Sequence, residues 1–199
     1  MRDLEIRGAG NLIGAAQHGH MASVGYDLYC RMLEDTIKLV RGEIDKEPIE
    51  TTVDLKVDAY IPSNYIKDEV QKIEVYKKIA NIDSEQGMME IREELEDRFS
   101  DIPSSVDNLI NIAYIKTIAN KLGVIEVKEK LTEVIIKFSN KEYINQNLVK
   151  AIISKYSKNV MFKLGDEPSL GYNIRKVKKE ELISEIRSFL EYLQSVVKN

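Results

Sequence analysis

The spacing of apolar residues switches several times along these 199 residues, and each switch predicts an element. Tyr26, Tyr29/Cys30, Leu33 and Ile37 recur at three- and four-residue steps, which predicts a helix that stops at Gly42. Val53, Leu55, Val57 and Ala59 then alternate with Asp54, Lys56, Asp58 and Tyr60, the mark of a strand over Thr52 to Ile61 that Pro62 ends. A helix capped by Ser63 or Asn64 follows, with Ile66, Val70, Ile73, Tyr76 and Ala80 on its inner face. The next begins at Asp83 or Ser84 and runs to about Phe99, burying Met88, Ile91, Leu95 and Phe99. Pro103, Ser104 and Ser105 open a third that stops at Gly123; its apolar residues go nearly all round, as in a central, buried helix.

The period then drops to two. Val124–Val127 and Leu131–Phe138 read as paired strands across the charged turn Lys128–Lys130. Residues 145–157 form a short helix capped by Asn145, with Leu148, Ile152 and Ile153 inward. Val160–Leu164 is a strand and Tyr172–Val177 another candidate. A last helix over 178–198 carries the stripe Leu182/Ile183, Ile186, Phe189/Leu190, Leu193 and Val197. The expected fold is α+β, with several helices packed on a small mixed or antiparallel sheet and preceded by a glycine-rich loop and one helix. The expected units are a loop at 1–20, a helix and charged linker at 21–50, and the α+β domain at 51–199.

Composition narrows the function. Lys and Arg number 29 against 33 Asp and Glu, a net charge of −4, which argues against a chain whose main task is to hold nucleic-acid phosphates. A single cysteine excludes a disulfide framework and a cysteine-based zinc site and suits a reducing, cytoplasmic setting. No stretch reaches 18 apolar residues, and no apolar leader follows the charged start Arg2, Asp3, Glu5, Arg7.

Most candidate chemistry dissolves on inspection. Gly8, Gly10 and Gly14 have the wrong spacing for a dinucleotide loop, and no Lys occurs before Lys38, so no phosphate loop ends in Gly-Lys-Ser/Thr. His18 and His20 lack further ligands nearby, and two imidazoles are too few for zinc. Cys30 lies in a helical stripe and reads as core. The run Arg175, Lys176, Lys178, Lys179 reads first as a solvated face and second as a nucleic-acid contact. No catalytic, cofactor-binding or metal-binding residue is assigned.

The helix at 85–99 is more informative. From Asp83 to Asp101 eight acids meet two arginines, a local charge of −6. At 100° per residue, Glu90, Glu93, Glu94 and Asp97 share one side, opposite Met88, Ile91, Leu95 and Phe99. Like charges three and four apart cost a few tenths of a kcal/mol each. Such a ridge is either a plain solvated face or the complement of a basic partner.

RDLEIRGAGNLIG with Gln17 and Gly19, continued by VGYDLYCRMLE (Val24–Glu34), resembles the end of the translocase module of the bacterial transcription-repair coupling factors; its first part is also similar to the branch-migration helicase RecG. The strand, IPSNYI, VYKKIA and EELEDRFSDIP resemble that family's C-terminal domain. The resemblance implies that the chain is a C-terminal piece of a longer ATP-dependent DNA translocase, whose ATP and Mg²⁺ sit in upstream lobes. It implies that residues 1–20 end a translocation motif in which Arg7 and Gln17 are the polar couplers. It also implies that residues 51–199 are a non-catalytic clamp. That clamp packs on the N-terminal module and covers the surface that recruits the damage-recognition ATPase UvrA, with Glu94 and Asp97 as its contacts. The partners implied are that module, and, through the parent, RNA polymerase, UvrA and duplex DNA. A direct DNA contact is the alternative role.

Overall fold

The computed structural model describes residues 50–163, 165 and 167–197. The glycine loop, Arg7, Gln17, His18, His20, Cys30 and the helix expected over 21–42 lie outside the described residues.

Five strands form one mixed sheet: β1 (Thr52–Asp54), β2 (Val124–Glu129), β3 (Glu133–Phe138), β4 (Val160–Lys163) and β5 (Ser169–Asn173), in the order β1-β2-β3-β5-β4. β1 runs parallel to β2, and every other pair is antiparallel. Five α-helices accompany it among the described residues: α1 (Glu69–Ala80), α2 (Glu85–Phe99), α3 (Ser104–Lys121), α4 (Gln146–Tyr156) and α5 (Leu182–Val197). The architecture is α+β, as the pattern of periods implies.

The reason lies in which faces need cover. One sheet face is apolar: Val134, Ile136 and Phe138 of β3 align with Leu170 and Tyr172 of β5 and with Val124 and Val127 of β2. Val124 and Val127 are three apart yet share this face because a register shift between Val124 and Glu126 inserts one residue. α3 and α5 lie across that face. α3 is buried nearly all round, including Leu109, Ile110, Ile115 and Ile118, so it needs partners on every side, and α1, α2, α5 and the sheet supply them. The opposite sheet face carries ion pairs: Lys128 with Asp54 and Lys163 with Glu133 at 3.0 Å between strands, and Lys137 with Glu167 of the β4–β5 connection at 2.7 Å.

Several sequence expectations need correction. The strand over Thr52 to Ile61 pairs only through Asp54. Val53, Leu55, Ala59 and Ile61 are still buried in alternation, but beyond Leu55 the chain turns on a Val57 N–H to Leu55 carbonyl bond and leans on α3 through Tyr60 and Asn108. Alternation reports one buried face and does not by itself require a neighbouring strand. α1 begins at Glu69, capped by Asp68, which accepts the Gln71 N–H. Ile66 is buried before the helix starts, and the inner face runs through Val75 and Ile79, so Val70 (67% exposed) and Ile73 (44% exposed) point outward. Leu131 sits in the β2–β3 turn, 93% exposed, and Ile153 faces solvent because the stripe of α4 runs through Leu148 and Ile152. β5 is placed at Ser169–Asn173, upstream of the expected Tyr172–Val177; Arg175 to Val177 form the following turn.

α3 hands over to β2 at Gly123, whose φ of +73° suits a residue without a Cβ. A Cβ built there overlaps the Tyr143 ring. Gly123→Ala is therefore expected to lower stability by about 1–2 kcal/mol, read as a shifted urea midpoint at unchanged slope.

Candidate functional site

α2 forms where its sequence has both ends secured. The Ser84 hydroxyl accepts the Gly87 N–H at 3.2 Å, Glu85 lies in the first turn and Arg98 in the last. Its inner face buries Met88 and Leu95 and half-buries Ile91 and Phe99, as expected. Phe99 meets the Tyr65 ring at 5.8 Å, and Tyr65 donates to the carbonyl of Leu95 or Ser100, both at 3.3 Å. Arg92 crosses to Asp107 of α3 at 2.7 Å. These contacts fix the rotation of α2 about its axis and hence which carboxylates face water.

Glu93, Glu96 and Asp97 are exposed and make no side-chain hydrogen bond or ion pair among the described residues. They span about 100° of arc. Asp101 is exposed just beyond the helix, and Glu90 accepts from Gln86 at 2.9 Å. The negative field of this group acts on Tyr65, whose hydroxyl is pushed up by burial first and by Glu96 and Asp101 after it.

Glu94 differs. The Lys78 ammonium of α1 lies 2.6 Å from each of its oxygens, and Arg98, one turn on, reaches it at 2.6 Å. Its side chain is 32% exposed. The hydrogen bonds from Lys78 and then Arg98 hold its carboxyl below the ordinary carboxylate range. Of the two carboxylates singled out in the sequence, Asp97 is thus open to a partner, while Glu94 carries two cations of its own domain. Lys78 escaped sequence reasoning because it belongs to a different helix, and only the packing of α1 on α2 brings it close. The arrangement can recognise charge; it holds no nucleophile beside a base. Among the described residues no three His, Cys, Asp or Glu side chains are grouped to hold a metal ion. Arg175, Lys176, Lys178 and Lys179 are all exposed, and Lys178 lies 3.4 Å from Glu181. No described helix is long and apolar enough to cross a membrane.

Residues 55–149 match the model of the TRCF domain family. A solved structure described as the C-terminal domain of transcription-repair coupling factor superposes with a TM-score of 0.67 at 30% identity, covering 74% of this chain and 93% of that one. The chain belongs to the transcription-repair coupling factor family. The transcription-repair-coupling factor of Staphylococcus haemolyticus is 44% identical over 143 residues, 71% of this chain, and that of Borreliella burgdorferi 33% identical over 195 residues, 98% of this chain. The chain spans 12% and 17% of those two relatives. Its described fold is the C-terminal domain of the coupling factor family, and the acidic helix α2 lies wholly inside the matched segment.

Proposed function

We propose that this chain is a non-catalytic regulatory module, an electrostatic clamp that covers the UvrA-recruiting surface of the N-terminal module of its parent protein. The carboxylate face of α2 centred on Asp97 supports this reading most. Four exposed acids that make no side-chain pair among the described residues (Glu93, Glu96, Asp97, Asp101) repel one another, so a basic surface laid against them relieves a cost the domain otherwise carries. Exposed ion pairs are worth about 0–1 kcal/mol each, so several of them with surrounding contact supply the ~1–3 kcal/mol typical of coupling between sites. Residues 51–199 form the regulatory domain, while Arg7 and Gln17 belong to the end of the translocation motif. ATP and Mg²⁺ belong to the parent's motor lobes; no Gly-Lys-Ser/Thr run occurs in these 199 residues, and no step is derived through either. RNA polymerase, UvrA and duplex DNA are reached through the parent. Direct DNA contact through Arg175, Lys176 and Lys179 has their exposure in its favour, against a net charge of −4.

Glu94→Arg combined with Asp97→Arg in the full-length factor is expected to raise affinity for UvrA about tenfold, within the usual range of intersite coupling. The unfolding free energy of the domain in urea is expected to fall by about 1–2 kcal/mol with the fold intact by circular dichroism, because Arg at position 94 replaces the pairs with Lys78 and Arg98 by like-charge contacts. Unchanged UvrA affinity with intact folding removes the clamp.

A further inference from the structure

We propose that Lys78 is a built-in competitor for the docking carboxylate, and that it limits how firmly the α2 surface grips a cationic partner. The inference rests on the clamp reading. The trio Lys78, Glu94 and Arg98 carries a net positive charge, two cations on one carboxylate, although Glu94 lies on the acidic face of α2. The docking surface is therefore divided. Glu93, Glu96 and Asp97 attract a partner's Arg or Lys, whereas the neighbouring Glu94 zone repels it until one internal cation lets go.

The two internal cations are held differently. Arg98 lies one turn from Glu94 on the same helix, and its guanidinium sits 4.9 Å from the centroid of the Phe99 ring, so packing keeps it in place. Lys78 reaches across from α1, its side chain is 48% exposed, and Glu94 is its one partner among the described residues. A flexible, strongly hydrated ammonium is the cheaper of the two to release. Exchange is thus expected at Lys78: the partner's cation takes Glu94 while the lysine returns to water. Lys77 supplies an internal control. It lines the same shallow groove between α1 and α2 as Lys78, Glu90, Ile91 and Glu94, it is exposed, and it pairs with no carboxylate among the described residues.

The test is UvrA affinity of the full-length factor carrying Lys78→Gln, Lys77→Gln or Glu94→Gln, and Lys78→Gln with Glu94→Gln. Freeing Glu94 tightens the clamp, so Lys78→Gln is expected to weaken UvrA binding about two- to fivefold, the scale of one exposed ion pair. Lys77→Gln is expected to do less than half as much. In the Glu94→Gln background Lys78→Gln is expected to do no more than Lys77→Gln does, because its specific target is gone and only its general charge remains. The Lys78→Gln effect is also expected to shrink as salt is raised. Equal effects of the two lysines, a Lys78→Gln effect that survives undiminished in the Glu94→Gln background, or tighter UvrA binding overturns the competitor role. The Arg double variant at positions 94 and 97 separates the two ideas: if it raises UvrA affinity while Lys78→Gln does not lower it, the clamp stands and the competitor falls. If neither moves UvrA affinity, both fall.

Discussion

Phe189→Ala is expected to cost about 3–5 kcal/mol, a substantial part of the stability of a domain this size. The Phe189 side chain is fully buried on α5, and its ring lies against two other elements. It meets Tyr156 of α4 edge-on at 5.0 Å and Tyr172 of β5 at 4.9 Å. Tyr156 in turn meets the Tyr192 ring at 5.4 Å and a tilt of 56°, and the Lys155 ammonium sits over Tyr192 at 4.3 Å. The neighbours cannot close the hole easily. The Tyr172 hydroxyl donates to Glu185 and is held protonated by burial and by that carboxylate, so moving the ring breaks a half-buried hydrogen bond. Urea unfolding followed by far-UV circular dichroism measures the loss. A change below about 1.5 kcal/mol would mean that α4 collapses into the cavity, contrary to the rigidity argued here.

Asn111→Leu is expected to cost about 2–3 kcal/mol through a different mechanism. Asn111 is a buried polar residue among the apolar side chains that cover most of α3. Its amide accepts from Arg187 of α5 at 2.8 Å and donates to Asp107 at 3.0 Å, and Asp107 also receives Arg92 of α2. Asn111 and Asp107 of α3 thus link α5 to α2 through one polar network. Leucine has similar volume and leaves the Arg187 guanidinium, whose Nε makes no hydrogen bond among the described residues, without its best acceptor. Glu191, 3.5 Å from that Nε, is pushed up by burial and compensates weakly. The cost falls on the stranded partner, so Arg187→Met added to Asn111→Leu is expected to recover at least half of it in the same unfolding assay. A double variant as unstable as the sum of the two singles would mean that the network acts only through packing.

The acidic helix was the most legible part of the molecule. Ser84, the three- and four-residue steps of Met88, Ile91, Leu95 and Phe99, and Pro103 beyond it place α2 and its two faces without reference to any other element. α3 was legible for the same reason, since an all-round apolar pattern has no other home in a chain with no membrane-length run. α1 was not. Val70 and Ile73 look like core residues at helical spacing, yet the Asp68 cap and the burial of Ile66 before the helix turn the opposite face, Val75 and Ile79, inward. In the candidate site, Asp97 is exposed as the spacing implied, and the Glu94–Arg98 pair is a one-turn spacing the sequence contains, whereas the Lys78 pair was illegible: sixteen residues separate it from Glu94, and no local period connects the two.

Local rules, then, determined what local physics controls: where α2, α3 and α4 begin and end, which face of α2 is apolar, that strands follow Gly123, and that the acids crowd one stretch. Those follow from capping, hydrogen-bond closure and side-chain period, each spanning a few residues. The tertiary structure alone decided the strand order β1-β2-β3-β5-β4, the outward turn of Val70 and Ile73, and the capture of Glu94 by Lys78. Each of these depends on how distant segments share one limited core, and on Coulomb attraction that acts through space whatever the separation along the chain.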